Sequence, residues 1–585
     1  MPNMFAEGLL DQAGKTFEAR DFAKTDLLIA QALALEPGNL RGWCFQAVVA
    51  VETGRKELAL KTIQRALKHG PRIPAVINNA ATIFYQCGQP ARARQLWRRL
   101  LEIAPQSVDA NWNLAMYHVR QGDMDDAEFY LRKVMELAPD HPGVYLNLGN
   151  LLKNRGQIEE AISIFREAVR RHPHDLRGFS NLLYAMHFDP SSSPEQIYRE
   201  HAAWGRAFEE TVPCQERHEN NRSIERRLRI GYLSPNFRAH VVGHNFLPLI
   251  RQHDHEQFQV FCYSDTVMED DVTENLRREA DVWRDTQKLP DSDLAKLIAQ
   301  DQIDVLVDLT MHMEGVRLGV FARKPAPVQV TWMAYPGSTG LSRMDYRFTD
   351  TVLDPPEAAD GFYTEQSIRL ESYWCFEPPK DCPPLNPLPA DLNGHVTFGC
   401  LNNFGKVNTQ LLEVWRKILL SVPHSHLLLL PPKGKTTTWL LDNLQIDPAR
   451  VECLPRQNHR DYLALYNRID LALDPFPYTG HTTTLDGLWM GVPVVTLAGL
   501  TVASRGSLSI LSNLGLQELA ATTKDGYVAL AVDLANQLPR LREMRARLRQ
   551  RIEQSILMDS NRFARQAESA YRIMWKKWIE NGVKA

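Results

Sequence analysis

Between Gly480 and Asp486 the chain places a glycine, a histidine, three consecutive threonines and an aspartate in the run GHTTTLD. These are the groups from which a nucleotide diphosphate site is built. Hydroxyls and helix-start amides hold phosphate oxygens, glycine lets backbone approach closely, and a carboxylate accepts hydrogen bonds from a ribose. The flanking residues supply the elements to position them. Ile469–Leu473 is an apolar run bounded by Asp474 and Pro475, as a buried parallel strand would be, and VPVVTL restarts a strand after Gly491. A helix is therefore expected to begin near Thr482–Thr484, with Asp486 in its first turn. Taken alone, a threonine N-cap and an acidic first-turn residue are also ordinary helix-start chemistry.

Two further points along the chain carry reactive side chains at expected strand ends. The strand VTFGCLNN runs into Phe404, Gly405 and Lys406, and an ammonium there can neutralise charge on a departing diphosphate. After the strand LRIGYLS comes SPNFRAHVVGHNF, which holds His240 and His244. An imidazole near neutral pH can act as a base or orient a hydroxyl. His244, four residues on, reads as structural, and the pair lacks the H-E-x-x-H context or a third ligand for zinc. Asp308, closing the strand IDVLVD, is a secondary acid/base or acceptor-contact candidate. Asp291 and Asp293 have D-x-D spacing but follow Pro290 at the start of DLAKLIAQ, where capping explains them. No metal site is expected.

The GHTTTLD segment resembles the nucleocytoplasmic protein O-GlcNAc transferases, glycosyltransferase family 41, in particular their bacterial members. The resemblance implies a GT-B fold and inverting, metal-independent transfer of GlcNAc from UDP-GlcNAc to Ser or Thr, with no cofactor. It further implies that His481, Thr482 and Thr483 contact the diphosphate, that Asp486 holds the ribose, that Asn403 contacts phosphate and that Lys406 is needed for catalysis. Within LPRQNHRDYLALY, Tyr462 would stack on uracil and Gln457 would lie where the uracil edge is read. His240 matches a histidine needed for activity. Pro336 and Gly337, in WMAYPGSTG, match the loop shaping the acceptor and sugar pocket. The sequence departs from the animal pattern at Phe404, Gly405, His459 and Leu465. A fucosyl-transferring branch using GDP-fucose has the same architecture, although its members tend to lack the GHTTxxD combination. A hexosyl transferase acting on Asn lacks the repeats. A non-catalytic scaffold with a nucleotide-sensing domain is the remaining alternative.

The N-terminal third repeats with a 34-residue period. Pro37, Pro71, Pro105, Pro139 and Pro173 punctuate the units, Gly54, Gly88, Gly122 and Gly156 mark the inner turns, and Ala59, Ala93, Ala127 and Ala161 are the small packing residues. This is the tetratricopeptide signature of stacked helix pairs with a concave surface. Residues 3–36 read as a degenerate first unit, with Arg20 at the glycine position. Asn79, Asn113, Asn147 and Asn181 recur at the same period. An amide can pair with peptide backbone, and the resemblance implies an Asn ladder clamping acceptor polypeptides. Bonding between neighbouring units is the structural alternative.

Composition frames the whole. With 585 residues and 44% hydrophobic composition the chain is multidomain, and a net charge of −3 from 67 basic and 70 acidic residues gives no field for nucleic acid or anionic lipid. The eight cysteines form no CxxC pair, and no long apolar segment suggests secretion or membrane spanning, so a cytoplasmic location is expected. The expected order is tetratricopeptide repeats over 1–190, a connecting helix and linker over 191–227, a parallel α/β lobe over 228–377, a Pro-rich linker over 378–394 and a second, UDP-sugar-binding α/β lobe over 395–585. Two Rossmann-like sheets would face one cleft.

Overall fold

The computed structural model describes residues 3–356 and 359–584. The chain forms two compact units, Met1–Leu148 and Gly149–Ala585. The first consists of antiparallel helix pairs, Met4–Glu18 with Phe22–Leu35, Leu40–Glu52 with Lys56–His69, Pro74–Gln86 with Pro90–Ile103, and Val108–Gln121 with Met124–Leu137. Within each of the last three pairs the chain turns through a left-handed glycine: Gly54, Gly88 and Gly122 have φ of +76°, +83° and +71°. In the degenerate first pair Arg20 adopts the same conformation at φ +58°. Ala59, Ala93 and Ala127 are fully buried at the helix contacts, and Trp43, Phe84 and Trp97 fill the space between pairs.

The second unit begins within the repeat helix Val144–Asn154 and continues with Ile158–Arg171, Leu176–Met186 and a capped helix Pro194–Glu210, whose Ser193 and Gln196 form a reciprocal capping box. Two parallel sheets follow. The first contains β1 (Leu228–Ser234), β2 (Phe258–Ser264), β3 (Val282–Asp285), β4 (Val305–Asp308), β5 (Val328–Thr331), β6 (Tyr346–Asp350) and β7 (Gln366–Leu370), in the order β3-β2-β1-β4-β5-β6-β7. The second contains β8 (Thr397–Cys400), β9 (His426–Leu429), β10 (Val451–Cys453), β11 (Leu471–Leu473), β12 (Val494–Leu497) and β13 (Ala520–Ala521), in the order β10-β9-β8-β11-β12-β13. Both are doubly wound, with strand order reversing between β1 and β4 in one lobe and between β8 and β11 in the other. Open sheets of this kind bind ligands at those switch points.

One element departs from the sequence reading. The last helix, Ser560–Lys584, lies in the 395–585 span read as the second lobe, but it lays Phe563, Ala567, Tyr571 and Met574 into the core of the first lobe. Tyr571 Oη lies 3.1 Å from Tyr232 Oη of β1, and buried Glu568 pairs with His253. An amphipathic helix is legible in this stretch, over about 561–580, but nothing local to it names the sheet it covers.

Helices 176–210 pack on the first lobe through a buried histidine seam. Tyr335 Oη lies 3.1 Å from His187 Nε2 and 2.7 Å from His201 Nε2, while His312 bridges Ser180 Oγ and the Thr339 carbonyl. Backbones also touch directly. A Cβ at Gly205 would collide with the carbonyl oxygen of Gly340, and one at Gly340 with that of His201. Among the described residues no helix is long and apolar enough to cross a membrane, and all eight cysteines are free.

Candidate active site

A cavity of about 920 Å³ opens at the carboxyl ends of the strands of both lobes. Its walls come from the segments after β1, β2, β4, β5 and β7 on one side and after β8 and β11 on the other, with Tyr184 of the helix Leu176–Met186 completing the lining. Six of the residues expected from sequence line it: His240, Asn403, Lys406, His481, Thr482 and Thr483.

The second-lobe wall is built around the helix Thr482–Trp489, which starts where the sequence placed it. His481 occupies the N-cap position but makes no side-chain cap bond, so the positive helix start is presented without its usual neutralising partner. Thr483 Oγ1 donates to Asn402 Oδ1 at 2.8 Å, whereas Thr484 is turned into the core against Ser507. The His481 ring is wedged edge-on against Trp374, and its Nε2 is buried without a hydrogen-bond partner among the described residues. Burial, then the charge of Lys406, push this imidazole down to about 3, so it is neutral near pH 7.

Lys406 sits at the centre of that wall. Its Nζ donates to the Thr479 carbonyl at 2.7 Å and to Asn402 Oδ1 at 3.2 Å, and lies 4.2 Å from the centroid of the Tyr478 ring. No carboxylate pairs with it at ion-pair distance among the described residues. Burial lowers its pKa to about 8, opposed by the charge of Asp474. It therefore remains largely charged at pH 7. Asn403 is exposed and its Oδ1 accepts from Gly405 N–H, shaping the turn that delivers Lys406.

Asp486 and Tyr462 meet, but behind the helix rather than on the cavity surface. Tyr462 Oη donates to Asp486 Oδ2 at 3.2 Å and lies 3.0 Å from Tyr466 Oη, which in turn donates to the Thr483 carbonyl. Asp486 falls in the second turn rather than the first, and burial raises its carboxyl to about 7. Gln457 is held by its own loop, donating to the Pro455 carbonyl, and does not line the cavity.

The first-lobe wall is organised differently. His240 is the N-cap of the helix Val241–Ile250, with Nδ1 accepting from Val242 N–H at 3.2 Å. Burial, then the positive charge of Arg238, lower its pKa to about 4. With Nδ1 occupied as an acceptor, the neutral ring carries its proton on Nε2, making that atom a donor. His244 is exposed and off the cavity lining. Asp308 is buried away from it, its carboxylate accepting from Thr310 and Met311 N–H, and burial raises its pKa to about 6. Pro336 and Gly337 are likewise buried behind the wall, where Gly337 lies against the rings of Tyr335 and His187; their neighbours Trp332, Met333 and Ala334 form the lining. Asp291 and Asp293 begin the helix Asp291–Gln300, and Asp291 accepts from Arg317 at 2.7 Å.

Sequence reading missed Asn402, Tyr478, Arg317 and Tyr184. Asn402 and Tyr478 adjoin residues already singled out, and a signal lay in their polar or aromatic character at strand ends. Arg317 and Tyr184 carried none. All four ladder residues are half-buried on the first helix of their units. Asn113 Nδ2 reaches Asn78 Oδ1 of the preceding unit at 3.4 Å, and Asn147 and Asn181 donate to carbonyls one turn earlier.

Two doubly wound lobes meet at one cavity, with Lys406 and a helix start on one wall, the layout in which open α/β sheets bind ligands. Residues 209–374 and 388–567 match the model of glycosyl transferase family 41, and the chain belongs to that family. Residues 78–142 and 118–183 match tetratricopeptide repeat models. A solved O-GlcNAc transferase from Thermobaculum terrenum, a lysine-to-methionine mutant, superposes with a TM-score of 0.79 at 35% identity, covering 87% of this chain and 98% of that one. The rice protein SPINDLY, named a probable UDP-N-acetylglucosamine–peptide N-acetylglucosaminyltransferase, is 36% identical over 440 residues, 72% of this chain and 47% of the relative. The Arabidopsis thaliana protein SEC, with the same activity in its name, is 31% identical over 60% of this chain and 37% of its own length. The chain thus spans about half the length of the SPINDLY relative and less of SEC.

Proposed function

We propose that this chain is an inverting, metal-independent glycosyltransferase that moves GlcNAc from UDP-GlcNAc to Ser or Thr hydroxyls of polypeptides held by the repeats. The observation that carries the reading is the convergence of Lys406, Asn403 and the uncapped start of the helix Thr482–Trp489 on one cavity wall. Those groups supply positive potential where a nucleotide diphosphate would accumulate charge as its glycosidic bond breaks. A metal ion would otherwise have to provide it. The names of the relatives from rice and Arabidopsis and of the Thermobaculum structure support the same donor and product.

In this reading Thr482, Thr483 and His481 hold the diphosphate, Asp486 and Tyr462 stand behind them for the ribose and base, and Gln457 lies at the base edge. Lys406 neutralises the leaving group. His240, donating from Nε2, orients the acceptor hydroxyl or a donor oxygen rather than accepting its proton. Asp308, Pro336 and Gly337 support the acceptor wall from behind, and Asn79, Asn113, Asn147 and Asn181 contact acceptor backbone. A reducing compartment such as the cytoplasm suits eight free cysteines.

Calorimetry of UDP against GDP in EDTA, with wild type and Asp486→Ala, tests the reading. The expected result is UDP binding that survives chelation and is weakened in the variant. Preference for GDP would move the donor to a GDP-sugar such as GDP-fucose. Binding of neither nucleotide would favour a scaffold.

A further inference from the structure

The repeat glycines offer a comparison internal to the molecule. Gly88 and Gly156 occupy equivalent turns at φ +83° and +78°. A Cβ added at Gly88 would meet nothing within 4 Å, as at Gly54 and Gly122, but one added at Gly156 would be driven into the carbonyl oxygen of Val407. The approach is reciprocal. A Cβ at Gly405 would lie 2.7 Å from the carbonyl oxygen of Lys153, in the same repeat turn. Backbone meets backbone on both sides, so no rotamer change can relieve either contact. The two contacts fall on either side of Lys406, which lies between Gly405 and Val407.

A second route joins the same places. Lys153 is 8% exposed, and its Nζ lies 4.7 Å from the Tyr184 ring centroid rather than beside a carboxylate. Tyr184 meets Tyr478 edge-on at 6.2 Å, and the Tyr478 ring carries the Lys406 ammonium.

We propose that the repeat turn Lys153–Gly156 is a positioning element for Lys406: Gly156 and Gly405 clasp the Lys406 loop, while Lys153 and Tyr184 brace the ring on which its ammonium rests. The proposal rests on the role given to Lys406 above. It makes the end of the repeat array part of the site, so a polypeptide that strains the last repeat also moves the group that stabilises the leaving diphosphate. The charged or titratable groups facing Lys406 are Asp474 and Cys400 at the ends of β11 and β8, Tyr478 and His481 on the following loop, and Lys153 beyond Tyr184.

The test compares Gly156→Ala with Gly88→Ala, which share the left-handed backbone strain and differ only in the clasp. Competitive acetylation with acetic anhydride, read by mass spectrometry across pH, reports the Lys406 amine without any ligand. Hydrolysis of UDP-GlcNAc reports kcat and donor KM without the acceptor groove. G88A should match wild type in both. G156A and Gly405→Ala should shift the amine titration up from about 8 toward an ordinary lysine. They should also lower kcat by roughly 10- to 100-fold with little change in donor KM, as a misplaced catalytic group does. A folded G156A indistinguishable from G88A in labelling and kcat would overturn the proposal. If G156A does not fold, Tyr184→Leu removes the brace alone, and an unchanged titration and kcat there would overturn it equally. Absence of hydrolysis by wild type would refute the donor reading, while the labelling profiles would still decide whether the clasp sets the environment of Lys406.

Discussion

The two walls of the cavity hold Arg317 and Lys406 in different ways. On the first-lobe wall Arg317 is held by Asp265 and Asp291, while Arg238 lies near His240, whose pKa burial and that charge lower to about 4. On the second-lobe wall Lys406 rests on a carbonyl, an amide oxygen and an aromatic face, and the adjacent helix start has no side-chain cap. Neutral partners leave an ammonium's field largely uncompensated, whereas carboxylates cancel a guanidinium's. Under the proposed reading, this difference favours the Lys406 wall for the anionic donor and leaves the His240 wall for the acceptor.

The sharpest way to break this comparison is to remove the uncompensated charge. Lys406→Met should lower kcat by roughly 10²- to 10³-fold, the scale seen when one preorganised charge-stabilising group is lost, measured as donor hydrolysis in EDTA. A tenfold or smaller loss would return catalysis to the first lobe. Next in size, Asp486→Ala should weaken UDP by roughly 5- to 150-fold in calorimetry, the range for one lost hydrogen-bonding partner. Unchanged affinity would leave Asp486 as a structural partner of Tyr462 alone.

The pH profile sharpens the comparison further. Loss of the Lys406 charge should give an alkaline limb near 8, and Lys406→Arg, charged throughout, should push that limb upward if the longer, planar head is accommodated. With its pKa near 4, His240 should give no acid limb around 6.5. A limb there would restore it as a base.

The smallest expected effect concerns stability. His187 and His312 are pushed well below 6.5 and His201 to about 4, chiefly by burial. Their folded forms are neutral, so below 6.5 the unfolded chain takes up protons that the folded one refuses. The seam's contribution is complete above about 6.5 and falls as pH drops toward 4. Thermal melts between pH 7.5 and 5 should show a progressive drop in Tm, reduced in a His187→Gln variant.

Much of this was legible in the sequence, for identifiable reasons. The 34-residue period is set by small residues and turns that each repeat needs for itself, so it survives reading one unit at a time. The helix start at Thr482 was bounded by Asp474 and Gly491, and Lys406 followed a strand too apolar to misread. Strands β3 and β7 escaped because VWRD and QSIRL are short and half polar. The seat of the closing helix escaped because amphipathicity gives a buried face without naming its partner. Asp308 and Gly337 sat at the expected strand end and loop, but periodicity cannot say whether such a side chain turns toward the cavity or into the wall. Tyr184 was hidden among repeat aromatics, because its role depends on Tyr478, almost three hundred positions away.

The backbone contact between Gly205 and Gly340 bears on how such chains are lengthened and cut. Adding or deleting whole 34-residue units can leave the helix Pro194–Glu210 seated on its lobe only where the change falls upstream of the helices that carry this contact. The turns at Gly54, Gly88 and Gly122 make no such approach, so the backbone contact with the α/β lobes is confined to the last helices. A shortened chain that keeps this contact must therefore retain the helices 176–210 together with the two α/β lobes.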